Sequence, residues 1–300
     1  MQEKKNYFNN TKVANCMTRF VDLTQDIYVS ELGKNREDML SRICFEANDL
    51  QDLKFKISRF DLMVMDAAYT ILVNGNSKFS LEMLANVMVG KEVSLDKNTS
   101  TKLVEIQKSI NKLKRVYINI DYTAIMREKG KIKDNEKCIV NGSLMPVKTY
   151  YVTSRVKRET KVTYEVIQKP VLYEYAENLG RVISVPSHVL ALPGVREDND
   201  FIAIKQELIK EIELMRNKNN NYKTRDIVYE WEHGERNGGF AARVGLRKEN
   251  YANEKQWNKR KVKLTEQVKI VLDHLIEINF IKGYSLIKNG KSVVGVSIDI

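Results

Sequence analysis

One pattern of predicted secondary structure occurs twice along this chain of 300 residues. Each copy has an amphipathic helix, a short helix opened by a hydroxyl residue, a longer amphipathic helix, and two strands that meet at Asn-Gly. The first copy comprises helices at Leu62 to Val73, Leu81 to Val89 and Thr99 to Lys114, and strands that meet at Asn141-Gly142. The second comprises helices at Phe201 to Met215, at Arg225 to Trp231 and a third ending near Asn279, and strands that meet at Asn289-Gly290. A repeat in a chain of this length predicts two domains of similar architecture.

The helices are predicted from apolar spacing and from capping residues. Ser58 or Asp61 can cap the first helix, and Gly90 is placed to end the second. The last helix begins as early as Asn253, and if it is continuous its apolar side chains share one face: Trp257, Leu264, Val268, Leu272 and Leu275. The Asn-Gly pairs are strong hairpin signals.

Pro170 is the predicted hinge between the two copies, because proline fits the first turn of a new helix. The predicted domains are therefore a lead-in at 1–53, a first domain at 54–169 and a second at 170–300. The lead-in either pads the first domain or forms an interaction arm, and Glu37 to Asn48 within it is predicted to be a short helix. Val116 to Ile125 is predicted to be a strand, and Arg127 to Lys137 a solvated loop.

Three helices followed by a hairpin is the order of the winged-helix motif. In helix-turn-helix proteins the recognition helix lies in the major groove of DNA. The predicted fold class is α+β, with two tandem winged-helix domains.

Net charge favours a polyanionic partner. The chain carries a formal charge of +11, with a sequence pI of about 9.3, which favours nucleic acid or an acidic membrane surface. No apolar run is long enough to cross a bilayer. The cysteines (Cys16, Cys44 and Cys138) are odd in number and far apart, which argues against disulfides or a zinc site and fits the reducing cytoplasm.

Residues that would indicate an enzyme are hard to find. The histidines (His188, His233 and His274) form no His-x-His pair of the kind a nicking initiator or relaxase needs to hold a metal. Gly290-Lys291-Ser292 ends like a phosphate-binding loop, but Ser285 stands where that motif requires glycine. We therefore expect no catalytic residue, no metal and no cofactor.

The last helix carries the sharpest binding signal. Opposite its apolar stripe the N-terminal half offers Lys255, Lys259 and Lys263, whereas the C-terminal half offers acidic residues. Arg260 and Gln267 are the predicted base contacts, because Arg and Gln read bases better than lysine does. Three residues of the preceding loop are predicted to follow the phosphate backbone: Arg243, Arg247 and Lys248. The alternative is an ordinary solvated face with lysines for solubility.

The first domain carries a weaker signal on its third helix, at Thr101, Lys102, Lys108 and Lys112. Glu105 lies at the centre of the same face and disfavours entry into the groove. The first domain is therefore expected to supply backbone contacts and an interface, and the second to be the main DNA-binding domain.

With this arrangement the chain resembles iteron-binding plasmid replication initiators with two winged helices. The stretches Phe60-Asp61-Leu62-Met63-Val64-Met65-Asp66-Ala67 and Leu172-Tyr173-Glu174-Tyr175-Ala176-Glu177 are similar to initiators of low-GC Gram-positive plasmids and mobile elements. The resemblance covers residues 55 to 300. It implies binding to direct repeats in double-stranded origin DNA, help in opening adjacent AT-rich DNA, recruitment of host replication proteins, and a homodimer.

Other functions stay open at this point. A transcriptional regulator or a DNA-binding accessory factor of conjugation could be built from the same two modules. A rolling-circle nicking enzyme would need a tyrosine nucleophile and a divalent metal. A purely structural interaction protein would show no salt-sensitive affinity for DNA.

Overall fold

The structure is a computed structural model that describes residues 4–10, 27–30, 40–45, 57–93, 97–154, 159–195, 197–217, 224–230 and 239–300. The chain forms two compact units. The N-terminal unit comprises Gln2–Met88 and Glu92–Ser184, and the C-terminal unit comprises Val89–Lys91 and Val185–Ile300.

The N-terminal unit contains nine strands and five helices from the part of the chain that the structure describes up to Pro186. The strands are β1 Lys5–Asn9, β2 Ile27–Ser30, β3 Leu40–Phe45, β4 Lys78–Ser80, β5 Val116–Asp121, β6 Ile139–Ser143, β7 Val147–Ser154, β8 Glu159–Val166 and β9 Val182–Pro186. The helices are α1 Arg59–Val73, α2 Leu81–Val89, α3 Lys97–Leu113, α4 Thr123–Glu128 and α5 Val171–Asn178. The last residues of α2 and β9 are counted with the C-terminal unit.

The C-terminal unit is built mainly from helices. They are α6 Asn199–Asn217, α7 Gly239–Arg243 and α8 Glu254–Glu277, with 3-10 turns at Ser187–Leu190 and Lys248–Asn250. Its strands are β10 Thr224–Val228, β11 Gly283–Asn289 and β12 Ser292–Asp299.

Both units contain a helix, a strand, two helices and a hairpin, in that order. In the N-terminal unit these are α1, β4, α2, α3 and the β7–β8 pair, and the sheet order is β4-β8-β7. In the C-terminal unit they are α6, β10, α7, α8 and the β11–β12 pair, and the sheet order is β10-β12-β11. In each unit the first strand therefore pairs with the last strand of the hairpin. The α+β class is confirmed.

Helix α1 begins at Arg59, three residues before the predicted Leu62, and one of its two predicted caps is confirmed. Ser58 is its N-cap and forms a capping box with Asp61, in which each side chain accepts a hydrogen bond from the other residue's backbone N–H. Gly90, with φ of +85°, follows the last residue of α2 as predicted. The capping box orients Asp61 so that it also accepts a hydrogen bond from Ser109 of α3, at 2.7 Å.

The predicted bounds of α8 are also confirmed. The side chain of Asn253 caps the N-terminus by accepting from the backbone of Gln256 at 3.0 Å. At the other end Asn279 adopts φ of 56°, and Phe280 donates its backbone N–H to the carbonyl of Leu275 at 2.7 Å. This geometry is a Schellman motif.

The hairpin predicted at Asn141-Gly142 is wrong. Both residues lie inside β6, where Asn141 pairs with Asn119 and Gly142 with Ile118 of β5. Gly142 is needed for packing, because a Cβ atom there would lie 2.7 Å from Cβ of Val171. The hairpin-like pair of this unit is β7 with β8, and residues 155–158 between them lie outside the described residues.

The strand predicted at Val116 to Ile125 ends early, at Asp121, and α4 follows it. The predicted solvated loop begins two residues later than expected, since Arg127 still belongs to α4. From Lys129 to Lys137 nearly every residue is exposed. Strands β5 and β6, with α4 between them, therefore form an insertion between α3 and the β7–β8 pair.

The short helix predicted at Arg225 to Trp231 is also wrong. Residues 224–228 form strand β10, in which Ile227 is buried between partly or fully exposed neighbours, and Trp231 lies outside the described residues. The short helix of this unit is α7, which contains Arg243, a residue predicted to lie in the loop before the last helix. Gly239 begins it with φ of +77°, where a Cβ atom would lie 2.4 Å from the Tyr229 carbonyl oxygen.

The lead-in contributes strands to the N-terminal unit. Asn9 of β1 donates its backbone N–H to Asp66 of α1 at 3.1 Å, and Tyr7 donates to Thr70 at 2.9 Å. The helix predicted at Glu37 to Asn48 is wrong over residues 40–45, which form β3 and pair with β5; the flanking residues lie outside the described residues. The predicted boundaries at residues 53 and 169 stay predictions. Helix α5, which follows Pro170, packs in the N-terminal unit, where its Tyr175 ring lies 5.3 Å from that of Tyr122.

Candidate nucleic-acid interface

Helix α8 presents a long polar face because its opposite face is anchored in the core of the C-terminal unit. Trp257, Leu264 and Leu272 are buried on the anchored side. Lys255, Asn258 and Lys259 are exposed near its N-terminus. Recognition helices contact base edges with their N-terminal residues, so this is the end of α8 where exposed cations matter.

Lys255 and Lys259 are available for a ligand. Neither makes a hydrogen bond or an ion pair with any residue that the structure describes. Lys263 is also exposed, but its Nζ lies 3.3 Å from a carboxylate oxygen of Asp198. The three predicted lysines therefore lie on the exposed surface, and the third is partly neutralised.

Arg260 and Gln267 do not lie on that surface. They are 9% and 6% exposed, and Arg260 donates a hydrogen bond to Gln267 at 3.0 Å. Arg260 also contacts Asp200 of α6 at 2.9 Å. In the structure the two side chains form a buried polar bridge on the side of α8 that faces α6, away from the exposed lysines.

The three residues predicted to bind the DNA backbone from the loop before α8 all lie beside carboxylates. Arg243 lies in α7 and binds two carboxylates of α6, Glu207 at 3.0 Å and Glu211 at 3.4 Å. Lys248 is exposed but its hydrogen bond with Glu254, together with the charge of that carboxylate, raises the pKa of Lys248. Arg247 lies 3.6 Å from Glu249. Arg243 therefore stabilises the fold, and acidic neighbours offset the charges of the other two.

The hairpin adds cations that the sequence analysis did not select. Lys288 and Lys291 flank the exposed turn at Asn289-Gly290, and a bulge lies between Ile287 and Lys288. Between the hairpin and α8 runs an open groove of about 620 Å³. Its lining includes Asn258, Lys261, Val262, Thr265, Lys269 and Lys291.

Glu230 fixes one wall of this groove. Its carboxylate accepts hydrogen bonds at 2.9 Å from the Trp257 indole and from Lys261 Nζ. The Lys261 ammonium also lies 5.7 Å from the centre of the Trp257 ring. Lys261 is thus held in place and neutralised, which leaves Lys269 and Lys291 as the groove cations without an ion pair among the described residues.

We call the exposed set Lys255, Asn258, Lys259 and Val262, together with Lys291, the α8 surface. Lysine side chains suit the positioning contacts that DNA phosphates require. An asparagine and a valine among lysines add one hydrogen-bonding and one apolar group. The Asn-Gly turn already marked Lys291 as a hairpin-tip residue, and helical spacing from the Trp257 stripe could have found Asn258 and Val262.

The corresponding face of the N-terminal unit is less cationic. Thr101 and Lys108 of α3 are exposed, and Lys102 is half-buried. Lys112 forms a close ion pair with the buried Asp61, so it belongs to the network that begins at the capping box. Glu105 is exposed on the same helix, as predicted.

Within the described ranges, no helix is long and apolar enough to span a membrane. The same ranges contain no group of three or more His, Cys, Asp or Glu side chains placed to hold a metal ion.

Comparison with known proteins gives little. No protein-family model and no curated protein matches the sequence. Two solved structures of domains 2 and 3 of RctB, one a selenomethionine derivative, are 13% identical to the chain and cover 92% of it and 90% of their own length, with TM-scores of 0.43 and 0.41. Because the identity and both TM-scores are low, this similarity does not establish a shared fold or function.

Proposed function

We propose that the chain binds double-stranded DNA through the α8 surface. The observation that carries the proposal is the placement of Lys255 and Lys259, exposed and without ion pairs among the described residues, at the N-terminus of the long helix that precedes a lysine-bearing hairpin. The order of elements and the sheet order β10-β12-β11 support a winged helix in the C-terminal unit. The sheet order β4-β8-β7 supports a second winged helix in the N-terminal unit.

The finer proposal is a non-enzymatic replication initiator. It rests on the resemblance of residues 55 to 300 to plasmid initiators, and on the net charge of +11. The C-terminal unit reads direct repeats at an origin, the bound protein helps to open adjacent AT-rich DNA, and host replication proteins join the complex. No covalent step is part of this function.

A homodimer through the N-terminal unit is part of the same proposal. Strand β7 is at the edge of its sheet, and Tyr151 and Val152 on it are 67% and 60% exposed. An exposed apolar edge strand is a template for pairing with another chain. Replacing both residues with lysine should give a monomer in sedimentation velocity, while Ile167→Lys, at a position 55% exposed outside the strand, leaves the dimer intact. A wild-type chain that sediments as a monomer would refute the dimer alone.

The binding proposal is tested with a labelled duplex of mixed sequence. Fluorescence anisotropy should show binding at low ionic strength, and log K should fall linearly with log salt concentration. Absence of binding at low salt contradicts the proposal.

The initiator proposal is tested by a hydroxyl-radical footprint on the replicon that encodes the protein. Protection of tandem direct repeats beside an AT-rich tract supports the initiator. Protection of a single palindrome over a promoter indicates a transcriptional regulator instead. A covalent tyrosine adduct on single-stranded DNA would identify a nicking enzyme and would refute the non-enzymatic proposal.

A further inference from the structure

We infer that Asn258 and Val262 are the base-reading residues of α8, and that they select an adenine next to a thymine in the major groove. This inference rests on the proposed function, because it specifies which DNA the α8 surface recognises. It replaces Arg260 and Gln267, whose burial removes them from that surface.

Position on the helix places the two side chains together. Residues four apart lie on the same face, with Cβ atoms roughly 6 Å apart. Asn258 is the fifth residue of α8, and Val262 lies one turn farther along, still in the N-terminal half. Both line the groove between α8 and the hairpin.

Neither side chain has a structural role that explains it. Asn258 is exposed and makes no hydrogen bond with any residue in the described part of the chain. Val262 is 60% exposed and lines the groove together with Val293 and Val294 of β12. An exposed amide beside an exposed apolar group is a suitable contact for a base pair.

Lysine side chains flank Asn258 and Val262 on the surface of α8. Counted at about 100° per residue, Asn258 and Val262 lie in the middle of an arc bounded by Lys261 on one side and Lys259 on the other. Lys259 at one margin can bind a phosphate while the centre of the arc faces the bases, and Lys261 at the other margin is held by Glu230. Glu266 occupies the same face one turn beyond Val262. Its negative charge repels the DNA phosphates, so close approach of the DNA backbone is limited to the first three turns of α8.

The chemistry of the two groups specifies the bases. An asparagine amide accepts from N6 and donates to N7 of adenine in one bidentate contact, because adenine presents a donor beside an acceptor on its major-groove edge. The methyl groups of valine complement the C5 methyl group of thymine, which no other DNA base carries. Together they favour an A·T step over any G·C pair.

The test is selection from random-sequence duplex libraries with the full chain. One library contains thymine and a second contains uracil, which lacks only the C5 methyl group. Wild-type protein should enrich an A·T step at one fixed position of the thymine library. Asn258→Ala should reduce the preference for that adenine by about 5- to 150-fold, from the 1–3 kcal/mol of a bidentate contact. Val262→Ala should abolish the preference for thymine over uracil, which we expect to be about fourfold.

Matched controls distinguish the possible outcomes. Ile270→Ala removes another exposed apolar side chain from the C-terminal half of α8, and Asn111→Ala removes an exposed amide from α3; both should keep the wild-type motif. If the variants at 258 and 262 bind duplex with the wild-type motif, the inference is wrong and the proposed function stands. If wild-type protein binds neither library at low salt, the proposed function fails and the inference fails with it.

Discussion

Helices α3 and α8 occupy the same place in two units of the same topology, yet they expose different chemistry. Along α8 the N-terminal lysines are exposed and the hairpin adds Lys291. Along α3 one lysine, Lys112, is bound to a buried carboxylate, and Glu105 occupies the exposed face. Order of elements alone therefore does not distinguish the two helices; the partners of their charged side chains do.

The two units also differ in the segment that connects the third helix to the hairpin. After α8 the chain enters β11 within a few residues, so helix and hairpin form the two walls of one groove. After α3 the chain first forms β5, α4 and β6. Within this insertion β5 and β6 join β2 and β3 in a separate four-stranded sheet that has no counterpart among the described residues of the C-terminal unit.

The largest expected effect tests this division directly. Replacing Lys255, Lys259 and Lys291 with alanine should weaken duplex binding by about 3 kcal/mol, at about 1 kcal/mol per ion pair. The salt slope should fall by about two to three units, at ~0.9 per phosphate contact. Anisotropy titrations over a range of salt concentrations measure both quantities.

The matched variant carries alanine at Thr101, Lys102 and Lys108 of α3. We expect its salt slope to fall by less than about one unit, at ~0.9 per phosphate contact. A loss as large as that of the α8 triple variant would reverse the division of labour between the two units.

A second prediction concerns stability. Arg260 was predicted to contact DNA, but in the structure it bonds to Gln267 and Asp200. Arg260→Ala should lower the free energy of unfolding by about 1–2 kcal/mol, because the buried Gln267 loses its charged partner and the half-exposed Asp200 loses an ion pair. Urea denaturation measures this change. The free energy of unfolding of Lys259→Ala, one position earlier, should stay within about 0.5 kcal/mol of wild type. If Arg260→Ala is no less stable than Lys259→Ala, Arg260 is not a structural residue.

In α3 the structural cation is Lys112. Lys112→Ala should destabilise the N-terminal unit by about 1–2 kcal/mol, because the buried Asp61 loses its ion pair but keeps its bonds to Ser58 and Ser109. The exposed Lys108 is the control, and its replacement by alanine should leave the urea midpoint unchanged. If both variants unfold at the wild-type midpoint, the ion pair contributes nothing to stability.

The smallest expected effect comes from removing the ion-pair partner of Lys263 on α8. Lys263 and Asp198 are both more than half exposed, so their ion pair should contribute less than about 1 kcal/mol to folding. Asp198→Asn should therefore change stability little but raise duplex affinity, because it removes a negative charge beside Lys263. Unchanged affinity would place Lys263 outside the DNA contact.

Helical spacing and capping residues were sufficient to predict α1, α3 and α8, since these depend on local sequence. The predictions failed where tertiary contacts decide. Asn141-Gly142 is a turn signal locally, but Gly142 is used for close packing against Val171. Segment 224–228 is short enough to fit either a helix or a strand, and pairing with β12 makes it a strand.

Site residues were predicted less well than the fold, for a physical reason. Charge and helical position select candidates, but a cation that finds a carboxylate partner in the fold looks the same in sequence as one that does not. Asp200 for Arg260, Glu207 for Arg243 and Asp61 for Lys112 all come from distant segments. Only the folded chain reveals which lysines stay available.

Photo-crosslinking tests the central claim most directly, because it reports contact rather than affinity. A photoreactive phenylalanine analogue is placed at Lys259 on α8, at Lys108 on α3, or at Lys282, an exposed position at the base of the β11–β12 hairpin. Irradiation with duplex DNA should give a strong adduct from position 259, little from 108 and none from 282. Adducts from 108 or 282 without one from 259 would contradict the assignment of DNA binding to α8.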